Sequence, residues 1–569
     1  MNERRCKKLE ERLAYKFKMR KQWWIDAGIG GFFNIASDVI VKDKYDIKLI
    51  PEDDGLLIIY SDGEELKDLL KECYQLLVDR YWNVSTKRQI DNPELIFYDK
   101  VEDKLSLKPK RQPTPVPSLF VKGSSWRTED GEPYNELSPE MKKRVELFRE
   151  ETKKDLWGKK KILLYALPVC HTELEILPEE AKRKKICSVC GRESSNCNDI
   201  SQPSYLLFAS GSATRSFNSE VGGPDKICWE CEYLSKFAVE SASYEKKGDS
   251  LFILQVVTAN FEKLIDTNYR LGCSSVLRQL DDEYYYSNIR KHEKSLLRYA
   301  SLPYEFLWGF YCDAYTILNE ERKNREQDKA GDFLDELLGL SLSIAPIKIA
   351  LFYIQDKGQT FITKDLIFYD DSAYAFRLIH SCNEVMINQL GLFNSLYSRR
   401  DKQRENHFRN KFFSRVLNKR TVLMEAEKFA FHVSSDEQPT NWHELLLFLQ
   451  IYEPIIGEVK MNKEQVETAV NLGKSIVIQA EQVLKGDELK KIKGDLFALR
   501  KCRTKIDFLN QLNTLQLRYG LTVSNKLTEG ILEEVPFDEF RAYCTLAALN
   551  SYNSLMRKQA EGGKENERS

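Results

Sequence analysis

Two Cys-x2-Cys pairs constrain this chain more than any other feature of its sequence. They are Cys187-Ser-Val-Cys190 and Cys228-Trp-Glu-Cys231, with 37 residues between Cys190 and Cys228. Each pair brings two thiols together at a tight turn, and Gly191 lets the chain turn sharply past the first pair. Two such turns supply the four sulfur ligands of a closed tetrahedral zinc site. We therefore predict that these four cysteines bind one structural zinc ion.

Three other interpretations of the pairs stay open: a redox-active dithiol, a disulfide pair, and the burial of unrelated apolar cysteines. Both pairs follow a Lys-Ile dipeptide, which predicts two equivalent hairpin turns facing one metal. Cys197 has no partner at this spacing, so we expect it to be a free cysteine in the intervening loop. Because a closed site has no open coordination position, we expect the metal to support the architecture without catalysing a reaction.

Length and composition predict several domains and no membrane segment. The chain has 569 residues, of which 42% are apolar and 11% aromatic, enough for several cores. It contains no run of 18 uncharged apolar residues, and its charged first residues lack the apolar segment of a secretory signal. Thirteen cysteines, an odd number, are typical of a reducing compartment. We expect a cytoplasmic protein.

The pattern of apolar residues and turn residues predicts a multidomain α+β protein. Its N-terminal region is mixed α/β with an inserted four-cysteine zinc knuckle, and its C-terminal region is an all-α helical bundle. The predicted domains are an α/β domain with a basic, Pro-rich loop (1–180), the zinc-knuckle insert (181–235), a mainly helical region with a β-hairpin (236–374) and the bundle (375–569).

Three local patterns carry more specific predictions. The glycine-containing segment Trp23–Phe33 lacks the spacing of a dinucleotide-binding loop, and we expect a tight turn packed against a sheet. Residues 349–369 predict a β-hairpin or meander. Leucines and isoleucines from Leu496 to Leu515 predict one amphipathic helix that ends at Tyr519-Gly520, with glycine as its C′ residue.

No pattern in the sequence predicts an active site. Leu472-Gly-Lys-Ser475 resembles part of a P-loop, but Thr468 occupies the position of the required first glycine and the segment has a helical period. The six histidines are dispersed, and neighbouring acidic residues such as Asp370-Asp371 are better explained as surface charge. We therefore predict that the chain is not an enzyme.

Basic residues are concentrated in three segments although the net charge is −1. Residues 104–127 contain six basic and no acidic residues, 398–420 have nine basic and two acidic, and 485–518 have nine basic and four acidic. Such segregation is typical of a protein that binds phosphates along a channel, although solvated helix faces give similar patterns. The candidate nucleic-acid-binding residues are Lys108, Lys110, Arg111, Lys122 and Arg127 in the first segment, Arg409, Lys411 and Arg415 in the second, and Arg500 and Arg503 in the third.

Three segments together resemble one known family. They are the N-terminal Trp24-Ile-Asp-Ala-Gly-Ile-Gly-Gly31, the paired cysteines with their polar insert, and the basic stretch Lys493–Arg503 with Asp507-Phe-Leu509. This combination resembles the large subunit of type I CRISPR Cascade, in the subtype I-B family defined by a CXXC–CXXC signature. The cysteine pairs are the specific part of the resemblance, since basic amphipathic helices are common.

The resemblance implies a non-catalytic subunit of a crRNA-guided antiviral surveillance complex in the prokaryotic cytoplasm. In such a subunit the N-terminal part contacts the crRNA 5′ end and recognises a protospacer-adjacent motif on duplex DNA. The C-terminal bundle lines the path of the displaced strand, supports R-loop formation and recruits a helicase-nuclease. Further partners implied are the backbone subunits and a small subunit. The family's internally initiated small subunit would start near Met424 or Met461 in this chain.

Two alternatives from other functional classes stay open at this point. One is a zinc-stabilised nucleic-acid-binding regulator unrelated to CRISPR, which would need a compact basic recognition helix and dimer symmetry. The other is a nuclease with a zinc-stabilised domain, which would need a carboxylate–histidine cluster. Neither feature is visible in the sequence, and co-purification of a crRNA would separate the surveillance subunit from both.

Overall fold

The computed structural model divides the chain into two compact units. Unit 1 comprises Met1–Arg290 with Gly339–Ser372, and unit 2 comprises Lys291–Leu338 with Ala373–Ser569. The residues described are 12–37, 44–81, 95–99, 102–108, 131–152, 162–164, 174–178, 184–200, 205, 225–271, 287, 289, 291–325, 347–356, 361–398, 407–435, 440–457, 460–523 and 531–566. The fold is mixed α/β, and helices prevail in the C-terminal half of the described chain, as predicted.

Unit 1 contains several small sheets and separate apolar cores. Its elements are β1 (Leu13–Lys18), α1 (Trp23–Ala36), β2 (Lys48–Glu52), β3 (Gly55–Tyr60), α2 (Gly63–Tyr81), β4 (Leu95–Asp99), β5 (Lys104–Lys108), β6 (Gly131–Pro133), α3 (Pro139–Thr152), β7 (Ile162–Leu164), β8 (Lys185–Ile186), β9 (Glu193–Ser194), β10 (Cys197–Asp199), β11 (Lys226–Cys228), α4 (Trp229–Phe237), β12 (Ser243–Lys247), β13 (Ser250–Val257), α5 (Phe261–Arg270), β14 (Lys348–Asp356) and β15 (Phe361–Tyr369). One apolar core surrounds helix α1, and a separate one lies between strands β4–β5 and helix α3.

The sheets of unit 1 are mostly antiparallel. The strand orders are β1-β3-β2, β5-β4-β7-β6 and β12-β13-β14-β15, with two-stranded ribbons β8-β9 and β10-β11. Only β4 and β7 pair in parallel among the described strands. The predicted hairpin of residues 349–369 is confirmed by β14 and β15. The mainly helical prediction for 236–374 is wrong at β12 and β13. The apolar run from Leu251 to Leu254 is buried as a central strand, and a buried strand loses the alternation that would identify it.

The glycine-containing segment near the N-terminus is a helix, and the predicted tight turn is wrong. Helix α1 is buried on nearly all sides, and its N-cap Gln22 accepts a hydrogen bond from the Ile25 N–H. A Cβ atom at Gly28 would lie 2.0 Å from the Leu234 carbonyl oxygen, and one at Gly31 would lie 1.8 Å from that of Phe237. The glycines therefore let α1 touch the backbone of α4 directly.

Unit 2 consists of helices in its described part. They are α6 (Pro303–Arg325), α7 (Ser372–Glu384), α8 (Gln389–Ser395), α9 (His407–Leu417), α10 (Leu423–Ser435), α11 (His443–Ile456), α12 (Lys463–Val483), α13 (Lys490–Lys501), α14 (Lys505–Tyr519), α15 (Ile531–Glu534) and α16 (Phe537–Asn566). The predicted single helix through Leu496 and Leu515 is divided into α13 and α14, because Thr504 caps a new helix by accepting from the Asp507 N–H. Gly520 ends α14 with φ +66°, as predicted.

The P-loop-like segment lies inside α12, where its glycine has a packing role. A Cβ atom at Gly473 would lie 2.1 Å from the Cys544 carbonyl oxygen of α16. The absence of a side chain lets α12 and α16 approach closely. The segment is mid-helical, so its backbone N–H groups are already hydrogen-bonded and do not form a phosphate-binding loop.

Candidate metal centre

The first cysteine pair lies in a β-hairpin. Strands β8 and β9 pair antiparallel, and Cys187 and Cys190 lie in the turn between them. The Gly191 N–H donates to the Cys187 carbonyl at 2.8 Å, and the Cys187 N–H donates to the Arg192 carbonyl at 2.9 Å. Gly191 has φ +71°, a left-handed conformation that favours glycine, so its predicted role in the turn is confirmed.

The second pair lies at the start of a helix, so the prediction of two equivalent hairpins is wrong. Cys228 ends β11 and is the N-cap of α4, and Cys231 lies in the first helical turn. The Cys231 N–H donates to the Cys228 sulfur at 3.5 Å. The same Lys-Ile dipeptide precedes both pairs, so the sequence before the cysteines does not show that one pair lies in a hairpin and the other at the start of a helix. Only the residues after Cys231 have the apolar pattern of a buried helix.

The four sulfur atoms converge, which confirms the predicted cluster. The Sγ atoms of Cys187, Cys190, Cys228 and Cys231 all lie within 4.8 Å of one another, and Cys190 Sγ is 3.9 Å from Cys228 Sγ. A tetrahedron of sulfurs at the usual zinc–sulfur bond length of about 2.3 Å has edges of about 3.8 Å. Among the described residues this is the group of four that could hold a metal ion, and its spacing fits a tetrahedral thiolate site.

The four thiols of the cluster influence one another's ionisation. Hydrogen bonding from the Cys190 thiol holds the pKa of Cys187 well below its usual range. Hydrogen bonding to the Cys187 sulfur raises the pKa of Cys228 and of Cys231 well above theirs. The thiols therefore share protons that four thiolates would need to lose. A divalent cation compensates the negative charge and replaces those protons.

An arginine–glutamate–arginine group holds the two cysteine pairs to the β1–α1 junction. Glu230, between the cysteines of the second pair, accepts a hydrogen bond from Arg20, and Arg192 Nη1 of the first hairpin lies 3.9 Å from its other carboxylate oxygen. The Arg20 side chain is 4% exposed and that of Glu230 is 13% exposed. Burial raises the pKa of Glu230, while Arg20 opposes this shift. Sequence reasoning missed both Arg20 and Glu230, because they lie 210 positions apart.

The metal centre is continuous with the hydrophobic core of unit 1. Cys187, Cys228 and Cys231 are buried in the same apolar cluster as Trp24 and Tyr233. Trp24 Nε1 donates to the Ser235 carbonyl of α4 at 3.1 Å. Helix α4 therefore begins at a cysteine of the cluster and continues along the glycine face of α1. Three of the four cysteines therefore belong to the core, and the partly buried Cys190 packs against it.

Cys197 lies in a strand beside the cluster instead of in the predicted loop. It is the partner of Cys228 in the antiparallel pairing of β10 with β11. Its thiol lies 3.7 Å from the Lys185 carbonyl oxygen and 3.9 Å from that of Ser194. Burial raises the pKa of the Cys197 thiol.

The basic residues predicted to bind nucleic acid have different environments. Lys108 ends β5, whereas Lys110, Arg111, Lys122 and Arg127 lie outside the described residues. Lys411 and Arg503 are exposed, and within the described chain neither side chain forms an ion pair.

The other three arginines have partners inside unit 2. Arg409 is 4% exposed and lies 3.0 Å from Glu305, with its guanidinium 3.9 Å from the centre of the Phe393 ring. Arg415 lies 3.1 Å from Glu425. Arg500 lies 2.9 Å from the buried Glu427. The sequence pattern could not distinguish an arginine that pairs with an internal carboxylate from one that binds phosphate, because the guanidinium group suits both partners.

Neither known protein families nor curated proteins give a match to the sequence. The described part of the chain has no helix long and apolar enough to cross a membrane.

Proposed function

We propose that this protein is the non-catalytic large subunit of a crRNA-guided type I-B Cascade complex, with structural zinc at the four-cysteine site. In this role unit 1 binds the crRNA 5′ end and recognises the protospacer-adjacent motif on duplex DNA. The helices of unit 2 support the R-loop and recruit the helicase-nuclease. Protein contacts grip phosphates and read the short motif, while base pairing supplies the sequence specificity.

The convergence of the four cysteines is the observation that carries the proposal. It supports the CXXC–CXXC signature on which the family resemblance mainly depends. Zinc is the metal we propose, because four thiolates in a closed tetrahedral set are typical of structural zinc. Four cysteine ligands would fill every position of a tetrahedral metal and leave none open for a substrate, which favours a structural role.

Metal analysis tests the zinc component directly. Protein purified under reducing conditions should contain one zinc per chain by elemental analysis, and Cys187→Ser should reduce that content to near zero. Replacement by Co²⁺ should give the absorption spectrum of a tetrahedral thiolate site. A full-length protein that binds no zinc while its four thiols react freely would contradict this component.

Co-purification of RNA tests the assembly. The chain is expressed with Cascade backbone subunits and a CRISPR array, and the complex is isolated through a tag on this chain. We expect a crRNA of defined length in the isolated complex. Duplex binding by the isolated chain without any associated RNA would instead favour the regulator, and metal-dependent cleavage of DNA would favour the nuclease.

The exposed cations of unit 2 provide a matched pair of variants. Lys411→Glu with Arg503→Glu reverses two exposed charges in the basic segments, and Lys463→Glu with Lys474→Glu reverses two exposed charges on α12. The first variant should weaken binding of the assembled complex to target DNA, with a flatter dependence on salt concentration, because fewer counterions are released. If the two variants weakened DNA binding equally, Lys411 and Arg503 would not belong to the proposed DNA-binding surface.

The N-terminal basic loop is tested in the same way. Charge reversal of Lys108, Lys110, Arg111, Lys122 and Arg127 should weaken duplex binding and flatten its salt dependence. Unchanged affinity at moderate salt would exclude this loop from the DNA-binding surface.

A further inference from the structure

The pairing of β10 with β11 brings a fifth cysteine opposite a ligand of the candidate metal centre. Cys197 and Cys228 are direct partners in the antiparallel register. Directly opposite residues of an antiparallel ribbon project from the same face, so both side chains lie on one side of this ribbon. Cys197 belongs to neither Cys-x2-Cys pair, is half-buried, and its sulfur lies 3.7 Å from the carbonyl oxygen of Lys185, two residues before Cys187.

The hydrogen bonds identify the kind of pair that these two cysteines form. The Ile200 N–H donates to the Asp225 carbonyl at 2.9 Å, which makes 200 and 225 a hydrogen-bonded pair. Such pairs alternate with non-hydrogen-bonded ones, so Cys197 and Cys228 fall in a non-hydrogen-bonded pair. The Cys228 N–H accordingly donates elsewhere, to the Cys187 sulfur at 3.3 Å.

This pairing suits a disulfide bond. The Cα atoms of a non-hydrogen-bonded antiparallel pair are about 4.5 Å apart, and disulfides form across about 4.4–6.8 Å. A bond from Cys228 to Cys197 removes one ligand from the metal. A bond between two of the four ligands would remove two metal–sulfur contacts at once. A first disulfide that includes Cys197 would therefore cost the metal one ligand, whereas any disulfide within the cluster would cost it two.

Cys228 also connects this reaction to the fold. It is the N-cap of α4 and accepts a hydrogen bond from the Cys231 N–H. Further contacts hold β10 in place, since Lys226 is paired with Asp199 and Asn198 Nδ2 donates to Glu232 at 2.9 Å. A disulfide between β10 and β11 would thus form without separating the ribbon, while the sulfur of Cys228 leaves the metal.

We propose that Cys197 and Cys228 form a reversible disulfide that competes with the metal for the Cys228 sulfur. The oxidant is a peroxide. One metal-bound thiolate, one thiol, one hydrogen peroxide and one proton give one disulfide and two water molecules. The two sulfurs lose two electrons, the peroxide O–O bond breaks, and only Cys187, Cys190 and Cys231 would remain to hold the metal. With three ligands the metal is held less tightly and is released to a chelator.

The test uses the full-length protein with its metal, treated with hydrogen peroxide in the presence of a chromogenic chelator. Non-reducing peptide mapping by mass spectrometry should show Cys197 linked to Cys228 as the main disulfide. Cys197→Ser should slow metal release at least about fivefold at the same peroxide concentration, since the nearby thiol that captures the oxidised ligand is missing. Cys502→Ser in unit 2 is the matched control and should release metal at the wild-type rate. Dithiothreitol with added zinc should restore the metal content.

Two results would overturn the inference. One is a map in which Cys197 remains a free thiol while the four ligands form disulfides within their pairs. The other is an unchanged rate of metal release in both Cys197→Ser and Cys197→Ala. The inference rests on the proposed metal site but not on the proposed nucleic-acid role. Absence of metal from the protein as isolated would overturn both the zinc proposal and the competition for Cys228, whereas a free Cys197 thiol in a metal-containing, peroxide-treated protein would overturn this inference alone.

Discussion

Unit 1 and unit 2 hold distant parts of the chain together in different ways. In unit 1 contacts between residues about 200 positions apart, such as Arg20 with Glu230 and Trp24 with Ser235, hold α1 and the β1–α1 junction to helix α4, which follows directly after Cys228. In unit 2 helices pack through buried aromatic rings, and ion pairs such as Arg409 with Glu305 are enclosed between them. We propose that a metal bound at the cysteine cluster would stabilise unit 1, whereas unit 2 is stabilised by apolar packing.

Removal of one ligand should give the largest difference between the units. Cys187→Ser should abolish metal binding, and structural zinc contributes on the order of 10 kcal/mol to the folding of small zinc domains. We expect amide protection to be lost in α1 and α4 and retained in α12 and α16, measured by hydrogen exchange with mass spectrometry. Cys502→Ser is the control in unit 2. Equal protection of α4 in Cys187→Ser and wild type would contradict the inferred dependence on metal.

Removal of a buried arginine should have the next largest effect, and the larger loss should fall in unit 2. Arg409→Met leaves the fully buried Glu305 without its cation and should lower the free energy of unfolding by about 3–5 kcal/mol. Arg20→Met should have a smaller effect, because Glu230 keeps Arg192 and is slightly exposed. Chemical denaturation measures both. Adding Glu305→Gln to Arg409→Met should restore part of the loss, and a failure to do so would argue against an unpaired charge as its cause.

Acid should act on the two units in opposite directions. Burial raises the pKa of Asp313 in unit 2 to about 6, from 3.8 in an unfolded chain. A raised carboxyl pKa stabilises the folded state below pH 3.8, and this contribution is lost as pH rises through about 6. Lowering the pH from 7 to 4.5 should therefore stabilise unit 2 by about 2 kcal/mol through this group. Burial raises the pKa of Asp26 in unit 1 to about 6 as well, but protons also displace the metal from thiolates.

Hydrogen exchange at pH 7 and pH 4.5 with Asp313→Asn separates these contributions. The substitution should remove the pH dependence of unit 2 without changing metal release from unit 1. An unchanged pH dependence of unit 2 in this variant would assign the effect to another group.

Glycine substitutions should give the smallest effects and should be similar in the two units. Gly31→Ala and Gly473→Ala each place a methyl group against a backbone carbonyl oxygen, and overpacking of this kind lowers stability by about 1–3 kcal/mol. Gly494→Ala in α13 is the control, since no atom lies within 4 Å of its Cβ position. It should stabilise unit 2 by about 0.5–1 kcal/mol. Thermal denaturation measures all three, and a stabilising Gly31→Ala would mean that α1 and α4 are farther apart.

The sequence predicted the features that depend on local spacing. The four cysteines were identified by two short spacings, and the β14–β15 hairpin by its apolar pattern. The glycines of α1 were misread as turn residues, because their role depends on α4, which lies about 200 residues later. The Arg20–Glu230 pair and the burial of Arg409 also depend on contacts between distant residues. Such contacts cannot be predicted from the composition of a short segment.

The sequence distance between α1 and α4 has a consequence for the synthesis of the protein. Helix α1 is apolar on nearly every side, and its partner begins at Cys228, about 200 residues after the glycines that contact it. At about 5–20 residues per second, a ribosome needs roughly 10–40 s to make the intervening chain. During that interval the glycine face of α1 has no helix to pack against. A nascent chain of this protein is therefore a natural client for a chaperone that shields apolar helices until α4 and its metal ligands emerge.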